Sequence, residues 1–145
     1  MRHLLVWAAR LITAAGLAVD AFVHADLAGR YDPIRQSISQ GNLFRIEAAV
    51  AALAALLIVI IPRRETYAFA FVVAASALGA IVLYRYVNVG ALGPLPNMYE
   101  PVWFAEKVVA AVAEAVTVVA ALGGLGLSMA AARRTTRPRS NDPRP

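Results

Sequence analysis

The sequence has no cysteine. This chain therefore carries no disulfide, thiolate metal site, iron–sulfur cluster or dithiol redox centre. Lysine is almost as scarce, with Lys107 the only one. Charged residues make up 16% of the 145 positions and hydrophobic residues 60%. A soluble domain of this length needs a more charged surface than that composition supplies. Histidine occurs only at His3 and His24. His3 lies at the edge of its apolar segment, so a bis-histidine haem inside a bilayer lacks a ligand. The glycines at Gly90 and Gly93 fit neither GxGxxG nor a Walker pattern. No Ser-His-Asp or Cys-His nucleophile set assembles, so no catalytic residue is assigned and an enzyme is the weakest reading. No cofactor follows from the sequence.

Long apolar blocks fill the space those absences leave. They cover residues 4–27, 43–61, 66–86 and 102–131. Each is close to or above the ~20 residues that a helix needs to cross a bilayer. An unclosed strand would leave its backbone unsatisfied in lipid, so helices are the solution available. The expected fold is all-α, a four-helix transmembrane bundle over residues 1–132. Between the blocks stand breakers. Residues 29–41 hold Asp32-Pro33 and a polar run, which places Asn42 as N-cap of the second helix. Pro62-Arg63-Arg64-Glu65 reads as a tight turn, and residues 90–101 hold two Gly and three Pro. Pro101 suits the first turn of the fourth helix.

Arginine sets the expected orientation. Arg2, Arg10, Arg63, Arg64 and the five arginines of the tail RRTTRPRSNDPRP (133–145) fall on one side, nine in all. The other side has Arg30, Arg35, Arg45, Arg85 and Lys107. By the positive-inside rule both termini face the cytoplasm, residues 133–145 form a disordered basic cytoplasmic tail, and the two longer loops face out. The net charge of +5 is then a topology signal rather than a nucleic-acid footprint. The expected location is the bacterial plasma membrane. Expected partners are the lipid bilayer and another membrane protein or a second copy of the chain, with no nucleic acid. Arg2, the first apolar run and Val23-His24-Ala25 also resemble a signal peptide, but the run is too long and Arg10 and Asp20 interrupt it.

The remaining polar residues fall inside the blocks. An ionisable side chain at bilayer depth costs ~2.5–3.5 kcal/mol on insertion scales, so it is paired, functional or both. Asp20 is ten residues beyond Arg10 and Glu114 eleven beyond Trp103, which puts both near the midplane at ~1.5 Å per residue. Thr13, Gly16, Asp20, His24 and Leu27 share one helical stripe, and Ala110, Glu114, Thr117, Ala121 and Gly124 share another. Small residues on these stripes let the first and fourth helices approach closely. Asp20, His24, Glu47, Arg85, Glu106 and Glu114 are the candidate intramembrane polar or ion site. The near balance of acids with Arg45, Arg85 and Lys107 favours a structural ion-pair network. One His with carboxylates can also hold a divalent metal, although no HxxxH or ExxH pair is present, and the metal is left unassigned. The loop at 90–103 is placed over this pocket.

The stretches VDAFVHADLAGRYDPI, ISQGNLFRIEAAVAALAAL and LGPLPNMYEPVWFAEKVVAAVAEA resemble small actinobacterial integral membrane proteins with no assigned activity. The layout over residues 10–125 is broadly similar to DoxX-like four-helix proteins. That resemblance implies a four-helix membrane fold and brings no catalytic motif. DoxX-like proteins are linked to thiol redox complexes, a chemistry this chain has no cysteine to carry out. Two function classes stand out. The first is a structural or accessory membrane subunit with an outward-facing intramembrane polar pocket. The second is a small transporter or proton- or cation-binding protein that uses the midplane carboxylates. Topology is directly testable: reporter fusions at Pro62 and after Pro145 should both report cytoplasm, and a fusion within residues 90–97 should report the outside. Opposite sides for Pro62 and the C-terminus would rule out four spans.

Overall fold

The computed structural model describes residues 1–135, and every regular element in that range is a helix. The helices are α1 (Arg2–Tyr31), α2 (Gln40–Ile60), α3 (Arg64–Tyr86) and α4 (Ala105–Thr135). All four are long and apolar enough to cross a membrane. Even α2, the shortest at 21 residues, reaches ~30 Å, the thickness of a hydrocarbon core. The outer surface matches: Phe22 and Val119 are each 72% exposed, and Leu4, Leu11 and Val72 lie open beside them. An exposed apolar surface of this extent suits a lipid environment.

Several boundaries differ from the sequence pattern, each for a local reason. The N-cap of α2 is Ser39 rather than Asn42: the Ser39 hydroxyl accepts from the Asn42 backbone N–H at 3.0 Å. α1 continues past Leu27 to Tyr31, where Arg30 reaches back to Asp26 at the i,i+4 spacing. α4 begins at Ala105, so Pro101 lies in the preceding extended segment and not in its first turn. That segment is held from both sides. The Glu100 N–H donates to the Tyr84 carbonyl at 3.0 Å, and Lys107 Nζ donates to the carbonyls of Glu100 (2.7 Å) and Val102 (3.3 Å). Thr66 Oγ1 accepts from the Arg63 N–H at 3.0 Å and starts α3 directly after the short Pro62 turn. The stretch 133–145 begins inside α4, which runs through Thr135; residues 136–145 and the disorder expected there lie outside the described residues.

Helices consecutive in the chain pack as neighbours. α1 packs against α2 and α4, α3 packs on α4 and more lightly on α2, and α1 and α3 sit on the diagonal. The 32–39 and 87–104 loops share one end of the bundle, where the Ile38 N–H donates to the Pro94 carbonyl at 3.1 Å. Arg45 grips Asp32 there with two bonds, of 2.8 and 2.6 Å. The Arg45 guanidinium holds the Asp32 carboxyl below its ordinary pKa. Trp7 and Trp103 stand at opposite ends of the bundle, each near a cation: Arg10 over Trp7 at 4.8 Å and Arg85 over Trp103 at 5.7 Å.

Two apolar clusters fill the interior. One, toward the termini, joins Leu17, Ala54, Ile58, Tyr67, Val73 and Ala121. The other, toward the long loops, joins Val23, Leu27 and Ala110 with Phe44, Ile81 and Phe104 around them. Both depend on small residues. A Cβ at Gly16 would overlap the Thr117 hydroxyl and lie 3.0 Å from the Ala113 carbonyl oxygen. A Cβ at Gly124 would overlap the Tyr67 ring, whereas one at Gly123 would meet nothing within 4 Å. Gly16→Leu should therefore destabilise the folded protein by about 1–3 kcal/mol, read by SDS titration in mixed micelles. Gly123→Leu should be near neutral in the same assay.

Candidate functional site

Between the two apolar clusters lies a polar layer. The 3.6-residue repeat of α1 turns Thr13, Leu17, Asp20, His24 and Leu27 inward, and α4 turns in Ala110, Glu114, Thr117 and Ala121. Asp20 is 1% exposed, Glu114 0% and His24 8%. These three side chains converge, with one ligand atom from each within 4.8 Å of the others. His24 Nδ1 is 2.7 Å from Asp20 Oδ1 and 3.1 Å from the Asp20 carbonyl oxygen, the usual reach of an i,i+4 pair. Phe44 of α2 meets the imidazole edge-on at 5.2 Å and fixes the plane of the ring.

The carboxylates are short of donors. Asp20 Oδ2 and both Glu114 oxygens are buried without a hydrogen-bond partner, as is Thr13 Oγ1. Thr117, one turn along α4 from Glu114, spends its hydroxyl on the Ala113 carbonyl at 2.7 Å. Asp20 lies deep in α1, eleven residues or ~16 Å from its end at Tyr31 and eighteen residues or ~27 Å from its start at Arg2. No arginine or lysine side chain pairs with the triad among the described residues. Two carboxylates and one imidazolium carry a net charge of −1. At this depth that charge is costly. A proton shared between Asp20 and Glu114, or a bound cation, removes it. One imidazole nitrogen and two carboxylate oxygens also make three of the four ligands of a tetrahedral divalent metal such as zinc.

Beside the triad, toward the long loops, the four helices line a half-open cavity of about 370 Å³. Its walls are mostly apolar, including Leu27, Phe44, Ile81 and Phe104, and Leu95 and Met98 of the 87–104 loop lie across it. His24 lines this cavity while Asp20 and Glu114 do not. The imidazole is thus the group that joins the cavity to the buried acids.

The other candidate residues are placed differently. Glu47 lines the cavity, with Oε1 buried and unpartnered. Arg85 makes no ion pair among the described residues; its guanidinium stacks over Tyr86 at 5.0 Å and Trp103 at 5.7 Å, and its Nε is buried without an acceptor. Glu106 lies outside the site and pairs with Arg30 at 3.0 Å. The expected ion-pair network of the buried acids with Arg45, Arg85 and Lys107 does not form. Arg45 is taken by Asp32 and Lys107 by two backbone carbonyls. Long cations near helix ends keep their heads at the wet rim, and the acids of the triad sit too deep for them. Asp32, Gln40, Phe44 and the hydrogen bond from the Tyr31 hydroxyl to the Glu100 carboxylate were not legible in the sequence, because each joins segments with no shared periodicity. No protein family, curated protein or solved structure matches the chain.

This placement predicts where charge coupling is found. In double-mutant cycles, Asp32→Ala with Arg45→Ala should be non-additive, while Glu47→Ala with Arg85→Ala should add to within about 0.5 kcal/mol. Unfolding titrations of the four single and two double variants check both cycles. Strong coupling between Glu47 and Arg85 would mean that the two meet after all.

Proposed function

We propose that this chain is a multi-pass protein of the bacterial plasma membrane, with both termini in the cytoplasm, whose Asp20–His24–Glu114 triad takes up and releases protons inside the bilayer. The observation that carries this reading is the convergence of three buried ionisable groups within 4.8 Å, with carboxylate oxygens that no protein donor satisfies. An accessory subunit serving only as a scaffold has no use for such a layer, since an apolar replacement would be at least as stable. Protons reach the pair through His24, which touches Asp20 on one side and the cavity on the other. Histidine is suited to that step because it exchanges protons near neutral pH. In the proposed orientation the cavity faces outward, beneath the 87–104 loop, and couples proton exchange to the outer face of the membrane.

The test uses the full chain in nanodiscs and in liposomes. Infrared difference spectra across a pH step should show a protonated carboxylic acid band that titrates. Glu114→Gln and Asp20→Asn should each remove or shift it while the protein stays folded, because an amide keeps the shape but exchanges no proton in this range. Liposomes loaded with a pH-sensitive dye should report proton movement for wild type and not for either variant. If no carboxyl band titrates and all three proteins match empty liposomes, the scaffold reading replaces this one.

A further inference from the structure

The cavity contains a second feature beside the triad. Two side-chain oxygens on its wall, Glu47 Oε1 and Gln40 Oε1, are buried and accept no hydrogen bond, and Gln40 as a whole is 5% exposed. Three donors on the same wall point elsewhere, and neither the Tyr84 hydroxyl nor the Gln40 amide N–H reaches these oxygens. Lys107 Nζ serves the Glu100 and Val102 carbonyls, the Tyr31 hydroxyl serves the Glu100 carboxylate, and the Ser76 hydroxyl serves the Val73 carbonyl at 2.9 Å. His24 Nδ1 faces Asp20. The cavity thus offers unfilled acceptors between apolar walls, and a buried acceptor left without a donor costs free energy. Whatever fills the space has to bring the donor with it.

From this we infer that the cavity is a binding site for an organic ammonium ion, an amine carried on an apolar aryl or alkyl body. Its volume of about 370 Å³ lies within the range of small-molecule sites. Two chemical features choose a cation over other occupants. The wall carries two acids, Glu47 and Glu100, against Lys107, whose ammonium is already engaged, and His24, whose imidazole is paired with Asp20. Aromatic side chains line the space: Tyr31 and Phe44 are in contact at 4.9 Å, and Phe104 stands on the α4 side. Aromatic faces attract an ammonium group. An anion would meet uncompensated carboxylates, and a purely apolar molecule would leave Glu47 Oε1 without a partner. In the bound state the ammonium donates to Glu47, while the body packs against Leu27, Ile81 and Phe104. The site rests on the cavity alone and does not require proton exchange at the triad.

Calorimetry on the full chain in zwitterionic nanodiscs, with empty nanodiscs subtracted, tests the site. The probes are phenylbutylammonium, the isosteric neutral phenylbutanol and the anion phenylpentanoate. Wild type should bind the ammonium saturably and about tenfold or more tighter than the alcohol, as a charge-assisted hydrogen bond in a dry site would give, and should not bind the anion saturably. Glu47→Gln should bring the ammonium down to within about threefold of the alcohol. Equal affinities for ammonium and alcohol, a preference that survives Glu47→Gln, tighter binding of the anion, or no saturable binding of any probe would each overturn the site. The comparison of the three probes on wild type decides the matter even if Glu47→Gln fails to fold.

Discussion

In lipid, no hydrophobic force drives one apolar helix onto another, so helices associate where their backbones can approach closely and where polar groups need company. In this protein that place is the seam between α1 and α4. Gly16 faces Thr117 and the Ala113 carbonyl with no room for a Cβ, and one turn along the same seam Asp20 faces Glu114. The close approach brings the two acids within reach of each other, and burying the acids in turn gives the two helices a reason to stay together. Loosening the seam would admit lipid or water to groups that now have neither. The apolar clusters on either side depend on the same spacing, because Leu17 and Ala121 lie toward the termini from the acids and Val23 and Ala110 toward the loops.

The charges that remain at the loop end do different work. Arg45 with Asp32 and Arg30 with Glu106 tie the helix ends and the 32–39 loop together. Lys107, the single lysine, is held by carbonyls of the segment before α4 and fixes the path by which the 87–104 loop crosses the cavity. Both acid–arginine pairs are partly open to solvent, and exposed pairs stabilise weakly. Their role is positional: they tie helix ends together without using the Glu47 and Gln40 oxygens, which stay free of donors. A fully satisfied network at this end would have consumed the acceptors that make the cavity a site.

The sequence by itself determined the number of helices, their approximate spans and their inward faces. Those features follow from block length against bilayer thickness and from the 3.6-residue repeat, both of which are local. It also marked Asp20, His24 and Glu114 as anomalies, because an ionisable residue in an apolar run stands out without any knowledge of its neighbours. Tertiary structure alone decided the partners. Side-chain charge could not show that Arg45 would choose Asp32, that Arg85 would lie on aromatic rings, or that Glu106 would turn to Arg30 and leave the site. Those choices depend on which helices are adjacent, how deep each residue sits and how far an arginine can reach from the rim, and adjacency in a four-helix bundle is set by packing across the whole molecule. The cavity, with its unfilled acceptors beside aromatic side chains, belongs to the same class: it is space between four helices, and no single segment of the chain encodes it.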